Sequence, residues 1–212
     1  MLINKKKTSI MPFNFSKTKN FIPKINFPGD EPLNVIYETK LLGVIITSDL
    51  RWNAHVKFIT GNATKRLWLL IRFKNVGGTE AQLLTVYELK IRSLLEFAAP
   101  VFHSSLTEDQ SNQIELIQKK ALAIILGNNY HSYQLALTHS KLERLDLRHE
   151  NLCKRFAIKC TKDPRHSSMF PLNNKFRSNM RCPKKYLEYQ CRTTRYFKSA
   201  LPYLSRLLNK IP

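Results

Sequence analysis

The chain has 212 residues, 43% of them hydrophobic, and sets 35 Lys and Arg against 15 Asp and Glu, for a formal net charge of +20. That apolar content is enough for a buried core and excludes a wholly disordered tail protein, while the length allows one generous domain or two small ones. The basic excess favours a polyanionic partner, because each phosphate neutralised by Lys or Arg releases condensed counterions.

The charge is uneven: residues 161–212 carry 12 basic and 2 acidic side chains, half the net excess in the last quarter of the chain. No apolar run approaches the ~18–20 residues of a membrane span. The opening MLINKKKTSIMPF has a basic patch without the apolar stretch of a signal peptide. Cysteines 153, 160, 182 and 191 are too few and too clustered for a disulfide framework. An intracellular, reducing location, nucleus or cytoplasm, is expected.

Short apolar-and-basic segments at 6–15 and 21–27 read as strands or extended chain, closed by the turn residues PGDEP. Leu33–Tyr37 and Lys40–Thr47 read as a hairpin linked at Glu38-Thr39. From Asp49, taken as a helix cap, the period changes. Trp52, Val56, Ile59, Ala63, Leu67 and Leu70 mark one helical face, ended by Gly77-Gly78. Thr79–Gln82 has the form of a capping box opening a helix with Leu83, Tyr87, Ile91 and Leu94 on one stripe. Pro100 stops it. A second capping box, Thr107–Gln110, precedes Ile114, Ile117, Ala121 and Ile125, with Gly127 as C-cap. A short segment at 132–138 follows, then a helix over Leu142–Thr161 whose inner face is expected to hold Leu145, Leu152, Phe156 and Cys160. Beyond Asp163-Pro164 the pattern dissolves into Ser, Asn, Lys, Arg and Pro. The fold class is therefore α+β, mostly α: short N-terminal strands and a hairpin over 1–48, a helical bundle over 49–161, and a basic, loosely ordered tail over 162–212.

Several stretches carry a resemblance when taken together. Leu42-Gly43-Val44 followed by Asp49-Leu50-x-Trp52 resembles the hairpin between palm and thumb in reverse transcriptases of non-LTR (LINE-type, jockey-like) retrotransposons. Asn4 to Thr8 with Met11 and Phe13 is similar to that family's last palm strand. Ser93–Phe97 before Pro100–His103, Gln118–Leu122 leading to Ile125-Leu126-Gly127, and Leu142–Arg148 with Leu152-Cys153 look like three further segments in the same order. His149 stands where a second arginine is common. Cys191-Arg192-Thr193 with Arg195-Tyr196 is similar to the family's basic tail. The resemblance spans nearly the whole chain.

The resemblance implies a primer-grip hairpin, where glycine lets main chain approach a strand closely, and a thumb that holds duplex by its phosphates. The nucleic-acid contacts it suggests are Lys40, Leu42, Gly43, Arg51, Lys57, Lys65, Arg66, Arg72, Lys74, Arg192 and Arg195. The partner would be RNA, or an RNA–DNA or DNA duplex, with no membrane; oligomeric state stays open. Polymerisation needs two metal ions on palm aspartates, yet Asp30, Asp49, Asp109, Asp146 and Asp163 include no adjacent pair and none after an aromatic at the required spacing. Mg²⁺ would belong to the missing catalytic palm, so no cofactor, metal or catalytic residue is expected in this chain. The reading is a transposable-element fragment without polymerase activity of its own. Its alternatives are a piece of a longer active polymerase, or a basic helical interaction protein with no retained binding.

Other chemistry is weaker. His149, Cys153, Cys160 and His166 lack the short paired spacing of zinc fingers and knuckles, and buried cysteines are the simpler reading. Cys182 and Cys191 have no nearby histidines. His103 reads as a packing or capping residue. Tyr186, Tyr189, Tyr196, Phe197 and Tyr203 interleave with basic residues, either to stack on unpaired bases or to pack the tail onto the bundle.

Overall fold

The computed structural model of the chain describes residues 8–13, 33–174 and 184–210. The chain divides into two compact units, Met1–Phe58 and Ile59–Pro212. The expected strands at 21–27 and the PGDEP turn lie outside the described residues.

In the first unit β1 (Ser9–Ile10) pairs in parallel with β2 (Asn34–Val35), and β3 (Glu38–Leu41) pairs antiparallel with β4 (Val44–Thr47). The hairpin turn therefore falls at Leu42-Gly43, not at Glu38-Thr39 as the polar link suggests. Both turn residues have positive φ, 47° and 90°, the pattern of a two-residue type I′ connection whose twist matches the strands. Glycine adopts it freely, whereas Leu42 is held in a conformation unusual for a non-glycine side chain. Helix α1 begins at Asn53, later than Asp49. Asp49 instead accepts from the Thr47 hydroxyl at 2.7 Å and the Arg51 amide at 3.1 Å, closing a turn between strand and helix.

All six residues of the expected stripe are buried, five of them within helix α1 (Asn53–Asn75) and Trp52 just before it, and the helix stops before Gly77, φ 87°. Both capping boxes form. The Gln82 amide donates to the Thr79 hydroxyl at 3.4 Å and the Thr79 amide to the Gln82 side chain at 3.0 Å, starting α2 (Glu80–Val86). Thr107 and Gln110 do the same at 3.2 and 2.9 Å for α5 (Glu108–Leu126). After α2 the chain runs as a π-helical turn, Tyr87–Arg92, before α3 (Ser93–Glu96). That wider turn carries the buried stripe forward in steps of four, through Leu83, Tyr87 and Ile91 to Leu95 and Ala99. Leu95 thus replaces the expected Leu94. The run ends at Glu96, before Pro100, where Phe97 turns to extended backbone and Ala98 is left-handed at φ 57°; Pro100 itself sits in the first turn of α4 (Ala99–Phe102), where its missing N–H is harmless.

Helices α6 (Tyr133–Ser140) and α7 (Leu145–Lys162) complete the bundle. The buried face of α7 is Leu145, His149, Cys153, Ala157 and Cys160; Leu152 is half-buried and Phe156 is exposed. Leu122 and Leu126 of α5 meet Ala136 and Leu137 of α6 in a second apolar cluster.

The tail departs most from expectation. Residues 184–210 include α8 (Thr194–Phe197) and α9 (Ala200–Leu208), and α9 packs against α7. Leu204, Leu207 and Leu208 close on Cys153, Ala157, Cys160 and Phe170 in one core cluster. Polar bonds fasten the approach: Asn209 takes the Tyr186 amide at 2.9 Å and donates to its carbonyl at 3.0 Å, and the Ser105 hydroxyl donates to the Lys198 carbonyl at 2.9 Å. The tail's composition is basic and polar, but every third or fourth residue from 201 to 208 is apolar, and that suffices for one helical stripe.

Leu207 is 2% exposed. Leu207→Ala is expected to lower unfolding stability by roughly 2–4 kcal/mol, as buried Leu→Ala changes do. Urea unfolding checks it: a midpoint within error of the parent would mean that α9 is not part of the core.

Candidate nucleic-acid interface

In the first unit the hairpin presents Leu42, 88% exposed, at its tip, with Gly43 beside it. Lys40 lies on β3 with its ammonium 4.6 Å from the centre of the Phe58 ring. Arg51 and Lys57 are exposed, the Arg51 guanidinium 3.6 Å from Asp49. The Thr47 hydroxyl bond, helped by the Arg51 amide and charge, holds the Asp49 carboxyl below its ordinary value.

In the second unit the expected thumb cations separate by task. The Lys74 ammonium donates to the carbonyls of Ile124 and Ile125, at 2.5 and 3.2 Å, in the last turn of α5. A cation there complements the negative helix end and satisfies orphan carbonyls. Gly127 follows at φ 56°, and a Cβ there would stand 2.7 Å from that ammonium. Arg66 donates to the Lys90 carbonyl in the π-helical turn. Both side chains hold the bundle together, so the geometry makes them structural first.

Lys65 and Arg72 remain on the outer face of α1, seven residues apart and therefore on one stripe. Between them lies Trp68, 54% exposed, with the Arg72 guanidinium 4.6 Å from its ring centre. The sequence reading missed Trp68 because its period places it off the core stripe, which is the very signal that marks it as a surface ring. In the tail, Arg192 and Arg195 are exposed just before and within α8. Phe197 carries Arg206 at 3.6 Å, while Tyr186 and Tyr203 pack on the α7–α9 cluster. The Tyr189 hydroxyl donates to the Met169 carbonyl at 2.6 Å. Most tail rings therefore pin the segment down, leaving Tyr196 and Phe197 about half exposed.

The remaining family-like positions meet inside the second unit. Glu96 accepts from Arg148, and Arg92 approaches the same carboxylate at 3.3 Å. Gln118 takes the Tyr87 hydroxyl at 2.6 Å and donates to the Tyr133 hydroxyl and the Glu143 carbonyl, both at 2.9 Å. His103 packs edge-on to His149, with ring centres 5.5 Å apart, and also against Tyr203. Burial pushes the His149 imidazole down to about 3, with the neighbouring His103 adding to it.

Cys153 and Cys160 sit in the core cluster, and burial raises the Cys153 thiol to about 12, which keeps it protonated. His166 bonds Asp163 at 3.0 Å instead of turning toward either cysteine. Among the described residues no three His, Cys, Asp or Glu side chains come together as a metal group, and no helix is long and apolar enough to cross a membrane.

No protein-family model, curated protein or solved structure matches the chain.

His149 is disfavoured from protonating in the folded chain, so unfolding takes up a proton once the pH falls below the ordinary imidazole value of ~6.5. Stability is expected to be full above that pH and to fall toward about 3, by at most about 1.4 kcal/mol per pH unit for this one group. His103 is lowered by burial as well and adds to the slope, whereas Asp146 and Asp163 are lowered carboxylates that act only below their ordinary range. Chemical denaturation of His149→Leu between pH 6.5 and 4.5 isolates the effect. A slope equal to the parent's would show that His149 is not the titrating group.

Proposed function

We propose that the chain represents the palm-to-thumb part of a LINE-type reverse transcriptase, retained as a non-specific binder of RNA or RNA–DNA duplex and without polymerase activity of its own. The observation that carries the reading is the outer face of α1. Lys65 and Arg72 flank an exposed Trp68, and neither cation has an acidic partner among the described residues. Cations at that spacing suit backbone phosphates, which position a strand without reading its sequence. An exposed indole beside them suits an unpaired base at a strand end, since every base offers a π-face. The hairpin tip adds support within its own unit: an exposed leucine in a left-handed turn, where Asn or Gly would be easier to accommodate, is the kind of outlier that functional positions retain.

Polymerisation is left out of the reading because the chain offers no adjacent aspartates. Of the described ones, Asp49 pairs with Arg51, Asp146 with Arg144, and Asp163 with Arg165 and His166, while Asp109 is exposed in the first turn of α5.

Two measurements test this. Fluorescence anisotropy with duplex across a salt series should give a log–log slope that drops by about 1.8 in Lys65→Gln/Arg72→Gln, since each lost phosphate contact removes about 0.9. Arg192→Gln and Arg195→Gln should each remove a smaller share, alike for different sequences. An unchanged slope and affinity in the α1 double variant would favour a basic helical interaction protein. With primer–template, Mg²⁺ and deoxynucleotides, the purified chain should give no extension above buffer; extension that survives repurification overturns the proposal.

A further inference from the structure

A cavity of about 350 Å³ opens between the π-helical turn, the α6–α7 connection and the outer side of α7, all within the second unit. Its polar lining includes Glu88, Arg92, Lys141, Glu143, Arg148 and Arg155. The volume lies at the small end of ligand pockets, and few apolar side chains line it. Its donors outnumber its acceptors. Arg92 holds Glu88 at 2.6 Å and shares Glu96 with Arg148, which leaves further guanidinium N–H groups on both. Lys141 and Arg155 are exposed, and neither has an acidic partner among the described residues. Lys141 also closes α6 in a left-handed conformation, φ 53°, a position where glycine or asparagine is the usual choice. Glu143 receives the Asn151 amide at 3.4 Å and keeps its other oxygen, while Glu88 keeps one as well.

We infer that this cavity is a sugar-phosphate site, in which Arg155, Lys141 and the unused N–H groups of Arg148 and Arg92 hold the phosphate and Glu88 and Glu143 accept from sugar hydroxyls. Two planar guanidinium groups fixed by one partly buried carboxylate, Glu96, are preorganised for tetrahedral phosphate oxygens. The two rim carboxylates disfavour a bare polyanion and select a ligand that brings hydroxyl donors with its charge. The site deepens the nucleic-acid reading by giving the bundle a place for a phosphorylated strand end, distinct from the backbone contacts on α1; a free sugar phosphate shares the same chemistry.

The full chain titrated calorimetrically with ribose 5-phosphate, and with inorganic phosphate as comparison, is expected to bind the sugar ester more tightly. Lys141→Gln/Arg155→Gln should weaken that binding about tenfold or more, because it removes two charge-assisted partners, while Lys65→Gln/Arg72→Gln should leave it unchanged. Both replaced pairs lie on the surface, and thermal melts confirm that the variants remain folded. A second arm compares short RNAs of one sequence with a 5′-phosphate or a 5′-hydroxyl. Preference for the phosphorylated end, lost in Lys141→Gln/Arg155→Gln, assigns the site to nucleic-acid termini. Sugar-phosphate binding without that preference assigns it to a free ester, and holds even if the chain binds no RNA. No saturable response to ribose 5-phosphate, or a response equal in both double variants, overturns the inference and leaves the α1 interface to stand or fall on its own test.

Discussion

Gln118 and Glu115, neighbours one turn apart on α5, hold three other elements of the second unit through side chains buried from water. Gln118 uses its carbonyl for Tyr87 of the π-helical turn and both amide hydrogens for Tyr133 of α6 and the Glu143 carbonyl. The Tyr133 hydroxyl donates its own hydrogen bond to a Glu115 oxygen, and the other Glu115 oxygen accepts from the Leu145 amide at 3.0 Å. That amide opens α7, a helix whose N-cap, Arg144, supplies no side-chain bond. A carboxylate placed there satisfies an orphan donor and meets the positive helix end. Burial, with the bond to Glu115, raises the Tyr133 phenol above its ordinary value, so it stays a donor. Every member has a partner, the condition under which a buried polar network specifies one arrangement instead of destabilising it.

This network accounts for where several polar side chains of the second unit fall. Gln118, Glu96 and Arg148 look, as letters, like candidates for chemistry or nucleic-acid contact. In the fold they are joints: Gln118 sets the distance between α5 and the π-helical turn, and Glu96 ties α3 to α7 through Arg148. Lys74 and Arg66 belong with them, since each ends on a main-chain carbonyl of another helix. Net charge alone overstates the surface available to a polyanion, because part of it completes helix ends.

Local signals were the legible part of the fold. The α1 stripe, both capping boxes and the glycine after α5 follow from rules that act within four residues, and each stands where the sequence places it. What the sequence hid was register. A π-helical turn adds a residue without leaving any mark in composition, and it exchanges Leu94 for Leu95. On α7 the apolar letters Leu152 and Phe156 suggested one face, yet the buried face is set by what α4, α5 and α9 offer, and it takes in His149 and Cys153. The hairpin turn was hidden for a related reason: a leucine at positive φ is a tertiary compromise no local propensity predicts. At the candidate interface, exposed cations were readable as types. Trp68, and the division between structural and outward-facing cations, needed the partners of each side chain.

The order in the tail changes how its charge must act. A loose basic arm would gain affinity through many interchangeable contacts and would lose conformational entropy on each one. Here α9 is fastened to α7 by three buried leucines, and Tyr186 and Tyr189 fix the approach to it. Arg192 and Arg195 therefore lie on a segment already held, the first just before α8 and the second within it. Under the proposed nucleic-acid reading, their ordering cost would lie in folding rather than in binding, which favours a few definite phosphate contacts over a diffuse cloud. It follows that removing the tail would strip the covering from Cys153, Ala157 and Cys160 and perturb the whole second unit. The contribution of its charge is separable from the contribution of its leucines only residue by residue.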